Sequence, residues 1–164
     1  MIFVSVGTNE ARFDRLLEAV AGLPLDEAML IQHGHSSAVG RAGAELVDFL
    51  SFEEMIAAVG RSRVVVTHAG VGSVMVSLAN GKRPVVVPRR KSFGEAVDDH
   101  QLQLGRRFAE AGLVTLVEEP EDIATALALE QRPAALVPST SSLAADLGRL
   151  LEDAIPHPLA LDTA

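Results

Sequence analysis

The chain has no cysteine, no tryptophan and no tyrosine, and phenylalanine supplies all of its aromatic content. Without cysteine there are no disulfides, no thiolate catalysis and no cysteine-bound zinc, which suits a reducing cytoplasm. Few aromatics and a formal net charge of -8 argue against a nucleic-acid partner, because phosphates attract cations and bases need stacking platforms. Met1 runs directly into Ile2-Phe3-Val4-Ser5-Val6, with no basic n-region and no small-residue cleavage site, so no signal peptide is expected. The longest uncharged stretch, 64–81, contains His68, Gly70, Gly72, Ser73, Ser77 and Asn80. A spanning helix is predominantly apolar over about 20 residues, so a membrane span is not expected and the chain reads as soluble.

What is present is the make-up of one packed domain. The 164 residues are 48% hydrophobic and 22% charged, with none of the low-hydropathy, high-charge signature of disorder. That length is expected to be too short for an enzyme that closes two halves around its substrate.

Short β-branched runs alternate with amphipathic stretches. Strands are predicted over Ile2–Val6, Met29–Gln32, Glu45–Leu50, Arg63–Thr67, Pro84–Pro88 and Leu113–Val117. Val64-Val65-Val66 and Val85-Val86-Val87 are apolar at every position, the pattern of parallel strands covered on both faces. Phe13, Leu16, Leu17, Val20 and Leu23 mark one helical face, and Met55, Ile56 and Val59 mark another after Ser51. Further helices are predicted from Ser73 to Asn80 before Gly81, from His100 to Ala111, from Glu121 to Leu129, and around Leu143, Leu147, Leu150, Leu151 and Ala154. The last of these is expected either to pack on the domain or to offer its stripe to a partner. The succession is βαβα, which predicts an α/β fold with a doubly wound, Rossmann-like parallel sheet. Ligands of such sheets sit beyond the carboxyl ends of the strands, so the loops there carry the candidate chemistry.

The first such loop, Ser5-Val6-Gly7-Thr8-Asn9, lacks both the spaced glycines of a dinucleotide fingerprint and the Gly-Lys-Ser/Thr of a P-loop. It is either a tight turn or a place where backbone N–H groups approach an anion or a sugar hydroxyl. The segment Thr67-His68-Ala69-Gly70-Val71-Gly72-Ser73 is the most informative. Its glycines allow close backbone approach, Ser73 is placed to cap a helix, and the helix N-terminus attracts phosphate. His68 is either a hydrogen-bond donor to that phosphate or a satisfied interior histidine. In Asp98-Asp99-His100-Gln101, Asp99 suits a helix cap, whereas His100 and Gln101 suit sugar hydroxyls. His33-Gly34-His35 lacks a third ligand, and no Asp-x-Asp motif occurs, so neither a metal nor another cofactor is expected. Arg89-Arg90-Lys91 is a basic island that reads as solvated surface or as a contact for an anionic substrate, partner or lipid head group.

Three segments together carry a family likeness: His68-Ala69-Gly70-Val71-Gly72-Ser73, Gly81-Lys82-Arg83-Pro84-Val85-Val86-Val87-Pro88 and Asp99-His100-Gln101. They resemble the C-terminal, nucleotide-sugar-binding domain of family 28 glycosyltransferases, half of a GT-B fold. Phe3-Val4-Ser5-Val6-Gly7-Thr8 and Gln32-His33-Gly34 resemble its small stand-alone form, the catalytic subunit of two-part transferases. Members of that form act in dolichol-linked oligosaccharide assembly and in bacterial exopolysaccharide or capsule synthesis. The stretch from Val87 through Glu95 to Gln101 favours the bacterial branch. The likeness covers residues 1–130, expected to be the nucleotide-sugar-binding domain, with 131–164 as a C-terminal helix and tail.

The resemblance implies inverting, metal-independent transfer from a UDP-sugar to a lipid-diphosphate-linked acceptor, with UDP-glucuronic acid, UDP-glucose or UDP-GlcNAc as donor. It places Gly70, Val71, Gly72, Ser73 and His68 at the diphosphate, Gly7 and Thr8 near the phosphates or acceptor, and the segment from Phe49 to Phe52 at uracil. His100 and Gln101 would touch the donor sugar, Arg89 or Arg90 would pair with a glucuronate carboxylate, and Asp99, His100 or a partner would supply the base. Many family members carry a ribose-binding Glu where this chain has Val76. A membrane-anchored, acceptor-binding subunit is expected to recruit the chain to the cytoplasmic face of the membrane. The competing expectation is a nucleotide-sugar-binding or regulatory module that transfers nothing.

Overall fold

The computed structural model describes residues 1–38 and 41–129. The helix expected around Leu143 to Ala154, and the tail with it, lies outside the described residues. Six strands form one sheet: β1 (Ile2–Ser5), β2 (Met29–Gln32), β3 (Ala44–Val47), β4 (Val64–Thr67), β5 (Val85–Val86) and β6 (Thr115–Leu116). Their order is β3-β2-β1-β4-β5-β6, and every pairing is parallel. The helices are α1 (Asp14–Ala21), α2 (Phe52–Arg61), α3 (Val71–Ala79), α4 (His100–Glu110) and α5 (Ile123–Leu129), with 3₁₀ turns at Lys91–Phe93 and Pro120–Asp122.

Both faces of the sheet are covered, as the all-apolar strands require. Ile2, Val4, Val64, Val66 and Val85 point into a core closed by Leu16 and Val20 of α1 and by Ile123 and Leu127 of α5. Phe3, Leu30 and Val65 point the other way, against Ala58 and Val59 of α2. Val74 and Leu78 of α3 join Leu104 and Phe108 of α4 in a third cluster around Val86. Helix α2 starts where Ser51 and Glu54 cap each other reciprocally.

Strands β5 and β6 are each three residues shorter than the runs 84–88 and 113–117, β3 ends at Val47 and not Leu50, and β1 and β4 each lose one residue. Pro84 and Pro88 have no N–H to give a ladder, so β5 contracts to two residues. Pairing still continues past it, from Val87 N–H to the Thr67 carbonyl and from Val117 N–H to that of Val86. The other correction concerns α3, which starts at Val71 with Gly70 as its N-cap residue. Ser73 therefore lies inside the first turn and caps nothing with its side chain; its carbonyl accepts the Ser77 hydroxyl at 2.9 Å.

The strand order reverses direction between β1 and β4. The connections leaving these two strands diverge to opposite sides of the sheet and open a crevice, the usual ligand site of doubly wound sheets.

Candidate functional site

A cleft of about 580 Å³ fills that crevice. Ser5, Gly7 and Thr8 line it from the end of β1, His68 and Gly70 from the end of β4, and Gly72 and Ser73 from the first turn of α3. Leu50, Phe52 and Met55 form the opposite wall, and Met75 and Val76 continue along α3.

His68 stands between two glycines. A β-carbon on Gly7 would lie 2.6 Å from its Cε1, and one on Gly70 would lie 2.2 Å from its Nε2. Any larger residue at either place would displace the ring, and Gly7 also has φ +81°, a backbone that L side chains rarely adopt. The hydroxyl of Thr67 donates to the Ser5 carbonyl at 3.1 Å and lies 3.3 Å from His68 Nδ1. With its one proton given to Ser5, that hydroxyl accepts from Nδ1–H, so the neutral ring leaves Nε2 as a lone pair. Burial pushes His68 down to about 4, and the positive charge of Arg89 adds to this, opposed by a hydrogen bond to the Ser5 backbone. At neutral pH the free ring is therefore uncharged. It donates from Nε2 to a phosphate by taking up a proton or by moving its single proton from Nδ1 to Nε2.

Gln32 closes the floor of the cleft. Its Oε1 accepts from the Ser5 hydroxyl at 2.8 Å and from Gly7 N–H at 3.2 Å. Its Nε2 donates to the carbonyls of Gly7 at 3.0 Å and of Asp48 at 2.9 Å. One buried amide thus holds both polar groups of the Gly7 residue and ties the β1 loop to the segment after β3. Helix α3 has no side-chain cap. The N–H groups of its first turn have no intrahelical partner by construction, and they face the cleft with the positive end of the helix dipole.

Of the residues expected at a site, Gly7, Thr8, Phe52, His68, Gly70, Gly72 and Ser73 come together on this cleft, and Val71 does not line it. Phe49 turns away, half exposed and edge-on to the His35 ring at 5.2 Å. Asp99 and His100 are exposed and do not line the cleft. Asp99 spends a carboxylate oxygen on Lys91 N–H at 2.9 Å, and it is Asp98, not Asp99, that receives the first N–H of α4, from His100 at 3.0 Å. Gln101 accepts the Arg89 N–H at 3.2 Å.

The basic island is not a solvated surface. Arg89 is completely buried, its guanidinium donating to the carbonyls of Val6, Ala11, Arg12 and Glu95 and lying 4.7 Å from the Phe13 ring centroid. Arg90 pairs with Glu118 and Glu119. Only Lys91 is exposed, so neither arginine is available to a substrate carboxylate without dismantling these contacts. The buried Glu95 completes the cluster, binding Arg15 through both carboxylate oxygens at 2.9 Å and accepting Arg90 N–H at 3.0 Å. Sequence reasoning quoted Glu95 and Gln32 within the family likeness but gave neither a role in the site. The signal for Gln32 was a single polar residue ending an otherwise apolar strand. Among the described residues, no three His, Asp or Glu side chains converge as a metal cradle would need. No described helix is long and apolar enough to cross a membrane.

Residues 1–146 match the profile of the glycosyltransferase family 28 C-terminal domain. Over 113 residues, 68% of this chain, the sequence is 32% identical to the UDP-N-acetylglucosamine transferase subunit ALG13 of Eremothecium gossypii, covering 53% of that protein. It is 31% identical over 113 residues to the UDP-N-acetylglucosamine–N-acetylmuramyl-(pentapeptide) pyrophosphoryl-undecaprenol N-acetylglucosamine transferase of Rhodospirillum centenum, covering 63% of this chain and 29% of that one. The chain thus spans about half the length of the first relative and less than a third of the second. Among solved structures, the kitacinnamycin glycotransferase superposes with a TM-score of 0.64 at 20% identity, over 94% of this chain and 43% of that one. MurG of Acinetobacter baumannii superposes with a TM-score of 0.55 at 18% identity, over 79% and 41%. At such identities these superpositions speak for the fold, a Rossmann-like unit equivalent to one half of a GT-B glycosyltransferase. With its profile, its relatives and its switch-point cleft in agreement, the chain belongs to the family 28 glycosyltransferase C-terminal domains.

Proposed function

We propose that this chain is the donor-binding subunit of a two-part, UDP-sugar-dependent glycosyltransferase that acts with inversion on a lipid-diphosphate-linked sugar in polysaccharide synthesis. The observation that carries the reading is the uncapped first turn of α3, opening on a switch-point cleft whose single titratable lining group among the described residues is the neutral His68. An anion there is met by backbone N–H groups and a helix dipole, which suits a departing nucleoside diphosphate. Protonated when the diphosphate arrives, His68 adds a charged hydrogen bond to the leaving group. The apolar wall of Leu50, Phe52 and Met55 is suited to the face of a base.

The acceptor and its general base fall to a second chain in this reading. Asp99 and His100 do not line the cleft, and the relative with the greater share of its length covered is itself a subunit. That second chain is proposed to be membrane-anchored and to hold this one at the cytoplasmic membrane face. The donors favoured are UDP-glucose, UDP-GlcNAc and UDP-glucuronic acid. With Arg89 and Arg90 occupied, recognition of a glucuronate carboxylate would have to come from elsewhere.

Calorimetry with UDP and the three UDP-sugars, on the native chain and on His68→Ala, tests the reading. Micromolar to millimolar binding that weakens in the variant is expected, and no binding of UDP at millimolar concentration would overturn it. Transfer assays with and without the membrane-anchored partner then separate a transferase from a module that only binds.

A further inference from the structure

The two nitrogens of His68 have unlike surroundings. Nε2 lies against Gly70 and Gly7, whereas Nδ1 meets the hydroxyl of Thr67 at 3.3 Å. Thr67 is completely buried at the end of β4, in register with Ser5 at the end of β1. Its branched side chain has little rotamer freedom, and its hydroxyl donates to the Ser5 carbonyl at 3.1 Å. The Ser5 backbone is itself a hydrogen-bond partner of the ring. A carbonyl oxygen only accepts, and the Thr67 proton is already spent on one, so the proton between Thr67 and the ring is the ring's own.

A neutral imidazole can present Nε2–H to a phosphate by adding a proton or by shifting the one it has. Shifting it would turn an Nδ1 lone pair onto the Thr67 oxygen, and the hydroxyl could answer only by withdrawing its proton from Ser5. On the reading of the cleft as a nucleoside diphosphate site, we infer that Thr67 is a positioning residue for His68. By holding Nδ1–H it closes the shifting route, so that ligand capture adds a proton from solvent at Nε2 and turns the imidazole into imidazolium. Of the segments packed on the ring, the β1 loop brings Gly7, the start of α3 brings Gly70, and the segment after β5 brings the positive charge of Arg89. Burial, then that charge, keep the free ring neutral, and an anionic diphosphate reverses the balance. Capture and protonation are one event, and the charged hydrogen bond exists only with the anion in place.

Nitrogen NMR of the full chain carrying isotope-labelled histidine, with His68 assigned by His68→Gln, reads each ring nitrogen. The free native protein at neutral pH is expected to hold a proton on Nδ1 and none on Nε2, and saturation with UDP is expected to put protons on both. A UDP-bound ring with its single proton on Nε2 would overturn the inference. Thr67→Ser keeps the hydroxyl and should keep both states. Thr67→Val keeps the shape alone and should lose the single free tautomer; an unmixed Nδ1–H ring in that variant would show that Thr67 does not hold it. Affinity for UDP gives a second readout, because proton uptake makes the advantage of the native chain over His68→Gln fall as pH rises, by up to about tenfold per unit. An advantage that stays constant from about pH 5.5 to about 7 would mean that no proton is taken up. If UDP fails to bind at millimolar concentration, the proposed function and the proton uptake fall together, while the free-state tautomer still decides the role of Thr67.

Discussion

The Nε2 of His68 approaches Gly70 so closely that a β-carbon there would lie only 2.2 Å away. The imidazole therefore has its position set by the absence of a side chain. Gly70→Ala is expected to push the ring out of place, destabilising the fold by about 1–3 kcal/mol as overpacking does and weakening UDP binding at least as much as His68→Ala. Thermal denaturation and calorimetry on the two variants make the comparison. A Gly70→Ala protein with native stability and affinity would show that the ring has room to move.

A second expectation concerns pH. The folded pKa of His68 is about 4 against an ordinary 6.5, so the unfolded chain takes up the proton first as pH falls. Stability from the neutral ring is complete above 6.5 and drains away between 6.5 and 4, by up to about 3 kcal/mol. Glu27 acts in the adjoining window. Its hydrogen bond to Arg63, with help from the amino terminus, holds it at about 2 against 4.5, so its contribution is present above 4.5 and lost toward 2. Urea unfolding across pH should show the upper slope in the native chain and not in His68→Gln, while Glu27→Gln flattens only the lower one.

Gln32 offers a third test. Replacing it with Leu strands the Ser5 hydroxyl and the Gly7 carbonyl, while the Asp48 carbonyl keeps Gly34 N–H and Gly7 N–H keeps the Ser5 hydroxyl oxygen, a loss of about 2–4 kcal/mol given the cost of buried unpaired groups. Gln32→Glu keeps the shape and the acceptor but loses both donations, so it should be destabilised as well. Denaturant midpoints decide; a Leu variant as stable as the native chain would mean that water replaces the amide.

The basic island separates into unlike parts under mutation. Arg89→Met removes the donor from four carbonyls and should cost about 2–4 kcal/mol, whereas Lys91→Ala should stay within about 0.5 kcal/mol as exposed substitutions do. Arg89→Lys should resemble Met more than the native residue, because an ammonium cannot span the same fan of carbonyls. If Arg89 instead met substrate, its loss would change donor affinity and leave unfolding untouched.

How far the sequence reveals this molecule depends on whether a feature is local. Val64-Val65-Val66 shows a strand buried on both faces, and the glycines around His68 mark the loop that lines the cleft, since both follow from neighbouring residues. Ser73 misleads because a serine near a helix start has the chemistry of a cap, while the backbone of Gly70 begins the helix three residues earlier. Asp99 and His100 open a helix as expected, yet nothing in their neighbourhood says that they do not line the cleft. Arg89 is the clearest case. Adjacent charges suggest water, and only the arrival of Val6, Ala11, Arg12 and Glu95 from distant parts of the chain turns the guanidinium inward.

That inward guanidinium has a mechanical consequence. Val6, Ala11 and Arg12 belong to the connection leaving β1, and Glu95 to the connection leaving β5; one rigid, planar group grips them all. Glu95 in turn grips Arg15 at the start of α1. The two connections are therefore riveted into a single plate beside the cleft, unable to open one at a time. A motion that lowers Gly7 and Thr8 onto a ligand must either carry the 89–95 segment with it or hinge between Thr8 and Ala11, where the chain is exposed and Arg89 does not hold it.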